Sequence, residues 1–442
     1  MIARGPHKTV SQHQLRFSLR LINGVLRCVR PLGVSWERLD EEKLKREASR
    51  RTGLADFGAD HHREPLLRLI DNVHQSPAEP LAQISVHEQL TQHLMNRLKI
   101  TDFCRRHPAV GTIQIDRPIF IVGLPRTGTT MLQNLLSLHP QRHSPPFWWL
   151  KDPVPAYGDL ARSDATRRRR IWFLAWLNNY AAPEQAKIHN IQADSVEECW
   201  HLFFNRFTSL SYGFGLGLHH YGRWLLQTSM LDTYQEYHRQ LQLLQYQYRP
   251  ETIVMKCVEH IWFLDSLFKT FPDARVIWAH RDPFASIASY ASYISMYLRI
   301  MYGRCQRKKT GQYLHEMFLA GVNRGMAARF RLDKEAQIID VHWHDLRNRP
   351  LEVVGAIADK FGLSHDVADV ASMQNWLDAD RSDAAGKHYY RAEDYGLNRS
   401  EVARDFAPYT DRFGITPTEH TVSAGERATL ESGLAYPKSS HI

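Results

Sequence analysis

Short apolar runs followed by helical patterns organise the middle of the chain. The first run, residues 119–122, has the length and β-branched content of a buried parallel strand. Strands alternating with helices predict an α/β fold, a P-loop-like parallel sheet flanked by helices and connected by right-handed crossovers. Three further strand-and-helix pairs are predicted at residues 252–255 with 260–270, 275–279 with 283–300, and 337–341 with 350–361.

The pattern before residue 111 is helical, which predicts an N-terminal helical extension over residues 1–110. Within residues 9–31, apolar side chains recur at helical spacing with arginines between them, so this segment packs on the domain or touches an anionic membrane surface. Packing is the simpler interpretation. The α/β domain is predicted over 111–415, with a helical insertion at about 160–248 that includes four consecutive arginines, interpreted as a solvated helix face. A C-terminal arm follows at 416–442.

The first strand runs directly into a glycine-rich turn with the spacing of a phosphate-binding loop. Gly123 and Gly128 are separated as in the P-loop, and a helix is predicted to begin around Thr129. Thr129, however, occupies the position of the P-loop lysine, and Arg126 supplies a cation three residues earlier. An NTPase needs that lysine on the β- and γ-phosphates. The turn therefore predicts a phosphate-binding loop that lacks the lysine usually needed for γ-phosphoryl transfer.

The bulk properties narrow the class of ligand. A net charge of +9 and a pI near 9.2 are compatible with binding to an anionic small molecule, a membrane surface or nucleic acid. Nucleic acid is the least favoured of the three, because the sequence contains no nucleic-acid-binding motif. The five cysteines are scattered and never in C-x-x-C spacing, which favours free thiols over a disulfide framework or structural zinc. With no apolar run long enough for a membrane span or signal peptide, we expect a soluble, cytoplasmic protein.

Cations stand at the ends of three predicted strands. Arg126 follows the first, Lys256 the second and Arg281 the third. Because ligands of open parallel sheets bind beyond the carboxyl ends of the strands, we expect these side chains to converge on the phosphate loop. Asp282 and Pro283 specify the start of the helix after the third strand, as N-cap and first helical residue.

The loop Gly-Leu-Pro-Arg-Thr-Gly-Thr-Thr resembles the 5′-phosphosulfate loop of bacterial-type sulfotransferases, which use 3′-phosphoadenosine 5′-phosphosulfate (PAPS) as sulfuryl donor. A second match is Arg281 with Ser289, which have the spacing of the pair that binds the 3′-phosphate of PAPS in that family. Ser286, one turn earlier, is the alternative candidate for the serine. The resemblance covers roughly residues 115–400. It implies that Arg126 and the helix start formed by Thr127, Gly128, Thr129 and Thr130 hold the 5′-phosphosulfate.

The resemblance also implies catalytic roles in a reaction that needs no metal. Lys256 would touch the transferring group, and His260 is the first candidate for general base, because imidazole titrates near neutral pH. Relatives commonly read Lys-Ser-Pro-x-His here, whereas this chain reads Lys-Cys-Val-Glu-His, which leaves the placement of His260 open. The second candidate is the pair Glu197–Glu198, whose alternative role is to pair with a helix dipole.

The remaining expectations concern the acceptor. Lys387, in a late basic loop, would close over the donor, and the aromatic segment at 143–149 would either face an acceptor or form core. We expect a small hydroxyl acceptor, apolar or amphipathic, and no nucleic acid. The alternatives are a nucleotide kinase or NTPase, and an inactive nucleotide-binding scaffold.

Overall fold

A computed structural model describes residues 15–29, 39–155, 160–182, 191–379 and 391–417. Over these ranges the chain builds a central sheet covered by helices on both faces. None of the helices in these ranges combines the length and apolar character that crossing a lipid bilayer would require. The predicted C-terminal arm lies almost wholly outside the described residues.

The sheet is wholly parallel, in the order β2-β3-β1-β4-β5, with β1 at its centre. In β1, Ile119 and Ile121 face one layer of helices, while Phe120 and Val122 face the other. This two-sided burial explains why the strand is an uninterrupted apolar run. The strands are β1 Ile119–Gly123, β2 Arg142–His143, β3 Thr252–Lys256, β4 Arg275–His280 and β5 Ile338–His342.

Helices form the layers on both sides of the sheet. Those N-terminal to the sheet are α1 Phe17–Val29, α2 Glu41–Thr52, α3 Arg63–His74 and α4 Pro80–Arg106. Between β1 and β3 lie α5 Thr129–Ser137, α6 Phe147–Lys151, α7 Leu160–Ala181, α8 Trp200–Phe203, α9 Ser211–Gly215, α10 His219–Leu225 and α11 Leu231–Tyr248. The rest are α12 Leu264–Thr270, α13 Pro283–Tyr302, α14 Arg307–Leu332, α15 Trp343–Asn348, α16 Pro350–Phe361, α17 Val367–Ala379, α18 Arg399–Asp405 and α19 Ala407–Phe413.

The N-terminal helices have their own apolar cluster, built chiefly from leucines of α2, α3 and α4. That cluster also takes in Phe204, Phe207 and Tyr212 from the insertion between β1 and β3. Arg97 of α4 is buried there and donates to the Asn205 carbonyl at 3.1 Å and to Glu236. The extension therefore shares its core and its ion pairs with the insertion.

The sequence predicted the fold class correctly, and the strand positions agree to within one residue at each end. It missed β2, whose two residues are too few to produce a pattern, and α14, whose apolar positions are interrupted by glycines. The interpretation of residues 167–170 as a solvated face is wrong for Arg167. Because α7 packs against α6, the Arg167 side chain is buried, pairs with Asp164 and donates to the Asp152 carbonyl.

Candidate active site

The glycine-rich turn after β1 is shaped by backbone geometry that few residues tolerate. A Cβ on Gly123 would lie 2.3 Å from the Ala279 carbonyl oxygen of β4, so only glycine lets the two strands approach here. Gly128 precedes α5 with a φ of +86°, and Arg126 also has a positive φ, +69°. A positive φ at a non-glycine residue is uncommon and tends to occur at functional sites.

The threonines of the turn differ in burial: Thr127 and Thr129 are buried, and Thr130 is half-buried. Thr127 is fully buried, and its hydroxyl donates to the Leu124 carbonyl at 2.8 Å, which closes the turn. Gly128 gives α5 no side-chain cap, so the first backbone N–H groups of the helix point out of the turn. Thr130 stands at this helix start and receives a hydrogen bond from Lys256 Nζ at 3.3 Å.

Lys256 links the turn to an acidic residue from the insertion. At the end of β3 its ammonium lies 3.2 Å from Glu198 Oε1, and its side chain is only 2% exposed, whereas that of Glu198 is 21% exposed. A backbone hydrogen bond from Cys199 N to the Lys256 carbonyl, 2.9 Å, holds the two segments together. Glu197, by contrast, is buried and points to Ser195. Of the two acidic residues, Glu198 is the one that reaches the turn through Lys256.

Arg281, at the end of β4, lies against the opposite side of the turn. Its Nη1 donates to the Arg126 carbonyl at 2.7 Å, and its guanidinium stacks on Trp343 with 4.2 Å between Cζ and the ring centroid. Ser289, two turns into α13, is buried and its hydroxyl has no hydrogen-bond partner among the described residues. Ser286 instead donates to the Pro125 carbonyl. Ser286, the alternative to Ser289 in the sequence, therefore supports the turn.

His260 lies beneath the site, wholly buried in an aromatic cage that includes Phe120 and Phe203. Its Nδ1 is 2.7 Å from the Tyr234 hydroxyl, and its Nε2 is 3.3 Å from Cys199 Sγ. Both ring nitrogens are thus engaged within the core. This placement argues against His260 as the group that accepts a proton from an acceptor hydroxyl.

The same cage brings together thiols that are far apart in sequence. One ligand atom each from Cys199, Cys257 and His260 lie within 4.8 Å of one another. Burial raises the pKa of the Cys199 thiol, but hydrogen bonds from Cys257 and His260 outweigh it and lower the pKa. Two thiols and an imidazole could hold a thiophilic metal ion, an arrangement that the scattered cysteine spacing did not reveal. The same three side chains can equally be explained as a hydrogen-bonded cluster in the core that holds no metal ion.

A row of tyrosines on α13 leads away from Glu198, and sequence reasoning missed it. Tyr290, Tyr293 and Tyr297 are half-buried and follow one another along one side of the helix, with the last two hydroxyls 3.1 Å apart. Burial raises the pKa of Tyr290, and the charge of Glu198 adds to that rise. The signal was present as a tyrosine at every third or fourth position after Ser289.

Of the two remaining expectations, only the one on the aromatic segment falls on described residues. Lys387 lies outside the described residues. The aromatic segment at 143–149 is mainly core, since Phe147, Trp148 and Trp149 are all buried. This outcome is the commoner one for consecutive aromatics beside a sheet.

The fold, with a glycine turn and basic strand ends at one edge of a parallel sheet, is of the P-loop-like α/β class. Residues 118–367 match the model of the sulfotransferase family, and the chain belongs to that family. Two solved structures resemble it over nearly their whole length. Sulfotransferase STF1 from Mycobacterium tuberculosis H37Rv is 28% identical, with a TM-score of 0.75, covering 85% of this chain and 100% of its own. Sulfotransferase STF9 from Mycobacterium avium is 27% identical, with a TM-score of 0.77, covering 86% and 99%. No curated protein sequence matches the chain.

Proposed function

We propose that this sulfotransferase moves a sulfuryl group from PAPS to an acceptor hydroxyl by direct in-line transfer. The observation that carries the proposal is the convergence of Lys256 and Arg281 on the two sides of one glycine turn. Each comes from the carboxyl end of a strand next to β1, and each contacts the turn directly. Together they place positive charge where a phosphosulfate and a second phosphate would lie.

The donor would be held by residues of the turn and of α13. The N–H groups at the start of α5 and the Arg126 side chain bind the 5′-phosphosulfate. Arg281 and Ser289 bind the 3′-phosphate, and three features suit them to it. The Arg281 plane is fixed by Trp343, its fork can donate two bonds at once, and Ser289 is a buried residue whose hydroxyl has no partner within the part of the chain that the structure describes.

Lys256 and Glu198 would act on the transferring group and the acceptor. As the bond between sulfur and the bridging oxygen of the donor breaks, a bond forms between sulfur and the acceptor oxygen. Lys256 stabilises the negative charge that develops on the donor oxygens. Glu198, which is hydrogen-bonded to Lys256 and partly exposed, accepts the proton of the acceptor hydroxyl. His260 supports the aromatic cage under Lys256.

Calorimetry without magnesium tests the donor assignment. We expect adenosine 3′,5′-bisphosphate to bind the wild-type protein and adenosine 5′-phosphosulfate, which lacks the 3′-phosphate, to bind more weakly. Binding that requires magnesium and prefers ATP would overturn the proposal in favour of a nucleotide kinase. Donor binding without transfer of labelled sulfate to any acceptor in a lysate of the host would favour the inactive scaffold.

A further inference from the structure

Most of the exposed large hydrophobic side chains of the described residues lie on two helices, α1 and α7. On α1, Phe17, Leu21 and Val25 form one face and are 72%, 57% and 54% exposed. On α7, Trp172 is 59% and Trp176 50% exposed. Soluble monomers seldom expose a contiguous apolar face of this kind unless it binds something.

The two helices meet and form one surface. The Ser18 hydroxyl of α1 is 3.1 Å from the Tyr180 hydroxyl of α7, and the Arg16 guanidinium lies 4.7 Å above the Tyr180 ring. Along α7, Phe173 stacks with Trp176, and Trp176 stacks with Tyr180, at centroid distances of 5.9 and 6.0 Å. Together with the exposed Trp172, these rings form an aromatic ladder that runs along α7 to α1.

The charges on α1 and α7 are mainly positive, although two of the arginines, Arg27 and Arg168, pair with Glu79 and Asp194. Helix α1 carries no acidic residue, and its exposed Arg20 lies beside Phe17. On α7, the exposed Arg169 lies one turn before Phe173, and the single acidic residue, Asp164, pairs with the buried Arg167. Aromatic side chains rimmed by arginines complement the interface of an anionic bilayer, where rings lie at headgroup level and arginines meet phosphates.

The opposite side of α7 faces the tyrosine row. Asn178 lies within hydrogen-bonding range of Tyr297, the last tyrosine of that row. The row begins near Glu198, so the aromatic ladder and the site are joined by one helix and three side chains. A lipid surface on α7 would therefore lie next to the acceptor side of the site.

We propose that the ladder and the exposed face of α1 form a docking surface for an anionic lipid layer. A flotation assay tests this with the full chain and two vesicle compositions, phosphatidylcholine alone and phosphatidylcholine with phosphatidylglycerol. The wild-type protein should bind the anionic vesicles at least about tenfold more strongly than the neutral ones. Binding should weaken as salt is raised, since the arginines are exposed.

The variant Trp172→Gln with Trp176→Gln should lose at least about tenfold in binding to anionic vesicles. The matched control is Phe330→Gln, which removes an aromatic side chain that is 80% exposed on another helix, α14, and which should bind like the wild type. Because both changes are on exposed helix surfaces, circular dichroism should show the same melting temperature for all three proteins.

Absence of vesicle binding by the wild type, or equal binding by wild type and ladder variant, would overturn the proposal. So would sedimentation that shows a dimer in the wild type and a monomer in the ladder variant without vesicle binding, since the surface would then be an interface between two copies. The assay contains neither donor nor acceptor. Its failure is therefore separate from any failure of the proposed transferase activity.

Discussion

Replacing Glu198 by glutamine separates its proposed role as base from its role as a partner of Lys256. The amide oxygen of glutamine can still accept the 3.2 Å hydrogen bond from Lys256, but it cannot take up a proton. Because a neutral acceptor replaces a charged one, the cost in stability should be only about 1 kcal/mol. The loss of a general base should lower kcat by about 10²–10⁴-fold while donor binding stays near the wild-type value.

Two matched variants sharpen the test. Glu197→Gln changes the buried neighbour and should leave kcat within a few-fold of the wild type. His260→Ala empties a buried aromatic site and leaves the Tyr234 hydroxyl without its partner, so it should cost about 3–5 kcal/mol in unfolding free energy. Its kcat for each donor-binding molecule should nevertheless be retained.

The assay is single-turnover transfer of labelled sulfate, with active molecules counted by calorimetric titration with adenosine 3′,5′-bisphosphate. The reasoning would be refuted if Glu198→Gln kept its rate while the folded fraction of His260→Ala lost about 10²-fold or more. The imidazole would then reach the acceptor through a rearrangement of the cage. Stability is measured on the same samples by urea unfolding.

Three further outcomes follow from the contacts. Arg281→Ala should weaken binding of adenosine 3′,5′-bisphosphate by about 2–4 kcal/mol and leave binding of adenosine 5′-phosphosulfate unchanged. Calorimetry with both ligands checks this, and equal weakening of the two would contradict the assignment of Arg281 to the 3′-phosphate. Ser289→Ala should weaken donor binding by about 1 kcal/mol without lowering the melting temperature, whereas Ser286→Ala should lower the melting temperature, because it removes the donor to Pro125. Burial raises the pKa of Glu259 from 4.5 to about 7, although hydrogen bonds from Ser209 and Ser211 and their neighbours oppose this. Since the folded pKa lies above the unfolded value, the stabilisation is present at low pH and is lost as the pH rises through the folded pKa. Wild-type stability relative to Glu259→Gln should therefore fall by about 3 kcal/mol from about pH 5 to about pH 8 in urea titrations, and a constant difference would contradict the shift.

The sequence by itself determined four of the five strands and the glycine turn with the cations near it. Parallel strands buried on both faces must be continuous apolar runs, so residues 119–122 and 275–279 were recognisable without any tertiary information. Glycine at 123 and 128 is required by the backbone, and a cation that directly follows a strand has little choice of position. For Arg126, Lys256 and Arg281, local sequence fixes the strand end, and the parallel topology brings the strand ends together.

Only the tertiary structure decided which of the candidate bases meets the turn. His260 follows Lys256 by four residues, but a short turn at Val258–Phe263 directs its ring into the core, where Tyr234 and Cys199 contact it. Glu198 lies 58 residues before Lys256, and no local pattern predicts that pairing. The aromatic face of α7 is also a tertiary property, because four consecutive arginines followed by a run of apolar residues do not show which side of the helix packs on the domain. Burial and long-range contact depend on the packing of whole helices, and single-chain periodicity does not contain that information.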